Sequence, residues 1–193
     1  MKDFERPRRE WLAIIAASAL LSLATGCAAS SVVDNSAGRG GKAENPVKEL
    51  KDFEIQMLDA PPVKLSKLVG ENRVLLLNFW ATWCGPCQGE IPYLAAAQKE
   101  YRAKGVEFVG LSVEDPREAS ADIRIFARKL GINYQLGFAS PELFDAFNND
   151  PGGAIPQTFI FSKDGRLVKH IKGSNPSLMK QMLEEGIEEA LKA

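Results

Sequence analysis

The chain has 193 residues, enough for one domain of ordinary size plus some additional sequence. A hydrophobic content of 45% supports a proper core, and a formal net charge of −1 gives no drive toward nucleic acid or acidic surfaces. No internal repeat, coiled-coil heptad or metal-rich tract is present.

Residues 1–26 read as a removable leader. A charged start carrying Arg6, Arg8 and Arg9 precedes an apolar stretch over 11–24, too short for a comfortable membrane span. The small residues Ala24, Thr25 and Gly26 before Cys27 resemble a bacterial lipobox, which implies cleavage after Gly26 and lipid on Cys27. Ala24 stands where such sites usually carry Leu, and the alternative is an ordinary secretory signal with an incidental cysteine. The chain holds three cysteines, an odd number for an exported protein; lipidation of Cys27 would leave the pair Cys84 and Cys87. Residues 27–46 hold the lipidated cysteine and a Ser-, Gly- and Ala-rich tether, and the folded domain is expected over 47–193.

Residues 53–58 and 63–65, joined across Asp59-Ala60-Pro61-Pro62, predict a short hairpin. The near-continuous apolar run over 74–80 predicts a central strand covered on both faces. A helix follows to about Lys104, with Pro92 expected to kink it. Residues 106–113 predict a strand, 117–130 a helix from the spacing of Ile123, Phe126, Ala127 and Leu130, and 134–138 a short strand. Residues 141–148 predict a short helix capped by Ser140. Strands over 158–161 and 167–171 form a hairpin around the Asp164-Gly165 turn signal. The last helix is expected to start with Asn175 as cap and Pro176 at its first position, burying Met179, Met182, Leu183, Ile187 and Leu191. This order predicts an α/β fold with parallel crossovers and an antiparallel edge hairpin.

Trp83-Cys84-Gly85-Pro86-Cys87 lies where the central strand ends and a helix opens. Helix amides and dipole there stabilise a thiolate on the first sulfur, and the second cysteine sits one turn on, close enough to close a disulfide. Such a pair is a redox dithiol, and an exported protein that keeps it for chemistry needs an outside source of electrons or of oxidant.

The run from Asn78 through Cys87 and on to Glu90-Ile91-Pro92 resembles the TlpA/ResA-like branch of the thioredoxin superfamily. Gly153-Ala154-Ile155-Pro156-Gln157-Thr158 resembles that family's cis-proline segment, and Lys163-Asp164-Gly165 its following turn. The resemblance implies a thioredoxin-like fold, a central mixed sheet flanked by helices, with an N-terminal β-hairpin and an inserted βα element within 114–149. It implies that Cys84 is the exposed nucleophile and Cys87 the more buried resolving thiol. Trp83 is expected to cover one side of the pair, and Gly85-Pro86 is the dipeptide of reducing thioredoxin. Pro156 is expected in the cis form beside the sulfurs, with Ile155 free to pair an extended client peptide; the bland alternative is a trans loop proline. Thioredoxin's buried aspartate is replaced by Asn78, which cannot titrate. Glu90, one turn after Cys87, is then the candidate to tune the cysteines and accept the Cys87 proton, against the alternative of a solvated helix glutamate. His170, the one histidine, reads as an exposed strand residue, and Phe79 and Trp80 as core or site border.

Rival chemistries are weak on residues. Zinc needs four ligands, which two cysteines and a distant histidine do not supply. A Sco-type copper chaperone has three residues between its cysteines. A peroxiredoxin needs Thr or Ser where Ala81 stands and Pro where Leu77 stands. A disulfide-forming oxidant of the DsbA kind stays open, since the same residues run either direction. The expectation is an exported, lipid-anchored thiol-disulfide oxidoreductase that mainly reduces client disulfides. It would use no metal or cofactor beyond the Cys84–Cys87 pair and bind no nucleic acid. It would work as a monomer, recharged by a membrane donor of DsbD or CcdA type. Cytochrome c maturation and copper-site assembly are the settings that the resemblance implies.

Overall fold

The computed structural model describes residues 53–148 and 153–193; the expected leader, Cys27 and the tether lie outside them. The elements run β1 (Glu54–Met57), β2 (Val63–Lys64), α1 (Leu65–Leu68), β3 (Val74–Trp80), α2 (Gly85–Tyr101), β4 (Val106–Ser112), α3 (Pro116–Leu130), β5 (Gln135–Phe138), α4 (Pro141–Phe147), β6 (Gln157–Phe161), β7 (Leu167–Lys172) and α5 (Met179–Lys192). A 3-10 turn, Arg102–Lys104, extends α2.

The strands form one seven-stranded mixed sheet in the order β2-β1-β5-β4-β3-β6-β7. β3 sits between parallel β4 and antiparallel β6, and every one of its residues is buried. That double coverage is why its sequence is apolar without alternation. Its side chains still alternate in direction. Leu75, Leu77 and Phe79 face one layer with α1 and α4, where Phe147, Phe159 and Phe161 pack around Phe79 or each other. Val74, Leu76 and Trp80 face the opposite layer, built from α2, α3 and α5. Asn78 belongs to that second face, between Leu76 and Trp80. Burying each large side chain contributes about 1.5–3 kcal/mol, so the two layers hold the sheet from both sides.

The hairpin β1–β2 pairs Glu54 with Lys64 and Ile55 with Val63, then joins the main sheet through antiparallel β5. The edge hairpin β6–β7 turns at Gly165, whose φ of 82° is in the left-handed region that Asp-Gly signals favour. Two element starts differ from expectation. Leu65 opens the short helix α1 rather than extending β2, because Leu65 and Leu68 are both buried at helical spacing. α2 runs from Gly85 to Tyr101 with Pro92 inside it, on the exposed side. Asn175 caps only a turn: its Oδ1 accepts from the Ser177 amide at 3.2 Å, and the helix proper begins at Met179.

Candidate active site

Cys84 and Cys87 form a disulfide at the mouth of α2, with Cα atoms 5.2 Å apart. Cys84 is the N-cap of that helix. Its Sγ accepts the Cys87 amide at 3.2 Å, and its carbonyl accepts the Gln88 amide at 3.1 Å. An N-cap normally carries an oxygen; here sulfur occupies the place where helix amides and dipole favour negative charge. Pro86 follows in the first turn, where its missing amide costs nothing.

The expected exposure of Cys84 is corrected. In the disulfide form the residue is 5% exposed, and Cys87 1%. Gly85 and Pro86 are exposed beside it, and Trp83 is 69% exposed.

The cis-proline segment closes the other side. The Ile155–Pro156 peptide is cis, and the Ile155 carbonyl oxygen lies 3.7 Å from Cys84 Sγ. Ile155 is half-buried, and Pro156 is buried at the start of β6. Gln157 fixes this segment from behind. Its amide nitrogen donates to the Ala154 carbonyl and to Asn148 Oδ1, both at 2.8 Å. Its oxygen faces His170 Nε2 at 2.9 Å, which assigns the proton to that nitrogen. His170 is therefore not a simple exposed strand residue. Its ring stacks on Phe159 with centroids 4.0 Å apart, and burial with help from Lys172 lowers its pKa to about 4.

Glu90 is not solvated either. It is 1% exposed, and its Oε1 accepts the Thr158 hydroxyl at 2.6 Å, while Oε2 has no hydrogen-bond partner. Thr158 Oγ1 in turn accepts from Asn78 Nδ2 at 3.0 Å. Burial raises the Glu90 carboxyl to about 7, against an opposing pull from the Thr158 bond. A titrating acid thus stands one helical turn from Cys87.

A second carboxylate holds the loop before the cysteines. Glu114 accepts the Thr82 amide at 2.8 Å, the Thr82 hydroxyl at 2.5 Å and the Ser112 hydroxyl at 2.9 Å. Gln88 donates to the Thr82 carbonyl at 2.9 Å. Neither Glu114 nor Thr158 stands out in the sequence. Each acts through a residue more than thirty positions away, and only sheet pairing brings them together. The described residues contain no cluster of three or more His, Cys, Asp or Glu side chains able to hold a metal. At the peroxiredoxin positions, Leu77 and Ala81 are both fully buried apolar residues.

The AhpC/TSA family model matches residues 46–170. The thiol-disulfide oxidoreductase ResA of Bacillus subtilis is 28% identical over 149 residues, covering 77% of this chain and 79% of that one. ResA of Bacillus thuringiensis subsp. konkukian is 30% identical over 139 residues, covering 72% and 74%. Among solved structures, the thioredoxin-family thiol:disulfide interchange protein of Chlorobium tepidum TLS superposes with a TM-score of 0.60 at 30% identity, over 72% of this chain and 92% of that one. These matches show that the chain belongs to the AhpC/TSA family as a ResA-like thiol-disulfide oxidoreductase of thioredoxin-like fold, whose substrates are disulfides.

Proposed function

We propose that this oxidoreductase runs mainly as a reductant of client protein disulfides outside the cytoplasm, held to the membrane by lipid on Cys27. The observation that carries the direction of attack is the Cys84 sulfur at the N-cap, receiving the Cys87 amide at 3.2 Å. Once the pair is reduced, that environment stabilises a thiolate on Cys84 and not on Cys87.

The Cys84 thiolate attacks one sulfur of the client disulfide. A Cys84–client bond forms, the client bond breaks, and the departing client sulfur takes a proton. Cys87 then loses its proton to Glu90 and attacks the Cys84 sulfur. The Cys84–Cys87 bond closes and the client leaves with two thiols. Ile155, with its carbonyl against Cys84, pairs the extended client chain, and Trp83, Gly85 and Pro86 supply the exposed contact. No organic cofactor or metal takes part. Two electrons from a membrane donor of DsbD or CcdA type restore the dithiol. Apocytochrome c and copper-site assembly factors fit as clients, met by a monomer facing the periplasm or the extracellular side. Among the described residues no helix is long and apolar enough to cross a membrane.

The experiment is trapping. Cys87→Ala is expected to accumulate a mixed disulfide between Cys84 and a disulfide-bearing client peptide, and Cys84→Ala to accumulate none. Trapping through Cys87 instead would overturn the assignment.

A further inference from the structure

Asn78 on β3 and Thr158 on β6 are direct partners in the antiparallel ladder, so their side chains stand together on the sheet face covered by α2. Asn78 is 1% exposed, Thr158 0% and Glu90 1%, which leaves water little access to replace a lost bond among them. A hydroxyl has one proton. With the Asn78 amide donating to Thr158 Oγ1 at 3.0 Å, that proton is directed to Glu90 Oε1 at 2.6 Å. Glu90 Oε2 has no partner.

We propose that Thr158, oriented by Asn78, is a positioning residue that anchors Glu90 through Oε1 in both protonation states and confines proton uptake to Oε2. The proposal rests on the reading that Glu90 takes the Cys87 proton. In that step the Cys87 S–H proton moves to Oε2, the new thiolate attacks Cys84 Sγ, and the client thiolate leaves. Oε1 keeps its hydrogen bond throughout, so the carboxyl need not rotate. The bond to Thr158 is stronger when Glu90 is charged, so it offsets part of the burial that disfavours the carboxylate.

Few other groups can shift this acid. Cys84 and Cys87 lie on its own helix. From the segment entering β5 comes Tyr134, whose phenol burial and the charge of Glu90 push up, keeping it neutral. β3 and β6 contribute the uncharged Asn78 and Thr158, and α3 contributes Ala119, Ile123 and Phe126 to the neighbouring packing.

The test uses the full-length reduced protein with glutathione disulfide and follows closure of the Cys84–Cys87 bond from pH 5 to 9.5. The wild-type rate is expected to show an inflection near neutrality that Glu90→Gln removes. Thr158→Val keeps the shape of the side chain but removes the donor. It is expected to move the inflection up by about one to two pH units and slow closure at pH 7 about five- to fiftyfold. Thr158→Ser, which keeps the hydroxyl, is expected to restore the wild-type profile; a purely structural role would not track the hydroxyl. Infrared titration of the Glu90 carboxyl in the oxidised protein gives a second readout, and Thr158→Ala replaces the valine variant if that one does not fold. If Glu90→Gln removes the inflection but Thr158→Val and Thr158→Ala leave it in place, the role of Thr158 is overturned alone. If Glu90→Gln itself leaves the inflection, the underlying reading of Glu90 falls, and this inference with it.

Discussion

The Glu114 carboxylate receives both the amide and the hydroxyl of Thr82, at 2.8 and 2.5 Å, and so ties the loop before Cys84 to the end of β4. Glu114→Ala leaves those donors and Ser112 without their acceptor. Hydrogen bonds to a charged group contribute about 1.5–3 kcal/mol, so a loss of stability in that range is expected by chemical denaturation. Glu114→Gln can still accept from the Thr82 amide and Ser112 while donating to the Thr82 hydroxyl, and is expected to lose less than half as much. Equal losses in the two variants would show that charge, and not this bonding pattern, holds the loop.

Two buried titrations oppose each other in the oxidised protein. The Glu90 carboxyl lies at about 7 in the fold against an ordinary 4.5. The folded state keeps a proton that the unfolded chain releases, so this group lowers stability as pH rises from 4.5 to 7, by about 3 kcal/mol in total. His170 lies at about 4 against an ordinary 6.5. Here the unfolded chain takes the proton first, so its contribution is complete above 6.5 and is lost as pH falls toward 4. The two slopes have opposite sign and cancel between pH 4.5 and 6.5. From these two groups, denaturation series are expected to show a nearly flat wild type over pH 4.5–6.5, a Glu90→Gln protein whose stability rises with pH over 4–6.5, and a His170→Phe protein whose stability falls. Parallel profiles for all three would refute both shifts.

Trp83 is 69% exposed, so its ring holds little of the core. Trp83→Ala is expected to leave the melting temperature within about 2 °C of wild type, as surface changes usually do. Loss of an aromatic contact at a binding surface costs about 1–2 kcal/mol, so KM for a protein client is expected to rise about tenfold while the rate with glutathione disulfide stays unchanged. Equal slowing with both substrates would place Trp83 in the chemistry rather than in client contact.

Gly137 is a packing requirement of the sheet. A Cβ there would lie 2.9 Å from the Gln56 carbonyl oxygen and 3.1 Å from Met57 Sδ. The nearest obstacle is backbone of β1, which pairs with β5 at this place. Gly137→Ala is expected to destabilise by about 1–3 kcal/mol and to raise hydrogen exchange first in β1 and β2. Protection that falls first in β6 and β7 would contradict that placement.

Much of this was legible because it is local. The apolar run of β3, the turn at Asp164-Gly165 and the cap at Ser140, which accepts the Leu143 amide at 3.2 Å, each depend on neighbours in sequence. The dithiol and its helix were legible for the same reason. What stayed hidden depends on strand pairing. Glu90 was legible as a candidate acid, but its partner Thr158 and the Asn78 that orients it come together only through the β3–β6 register. His170 reads as exposed until Phe159, its partner on β6, receives the ring. α1 was missed because four residues carry too little periodicity to separate a helical turn from a strand end.

The central claim, a dithiol that mainly reduces, is tested most directly by the equilibrium reduction potential of the Cys84–Cys87 pair, by thiol trapping across redox buffers. The account predicts a value at or below about −250 mV, near that of thioredoxin. A value near −120 mV, that of a strong disulfide-forming oxidant, would contradict it.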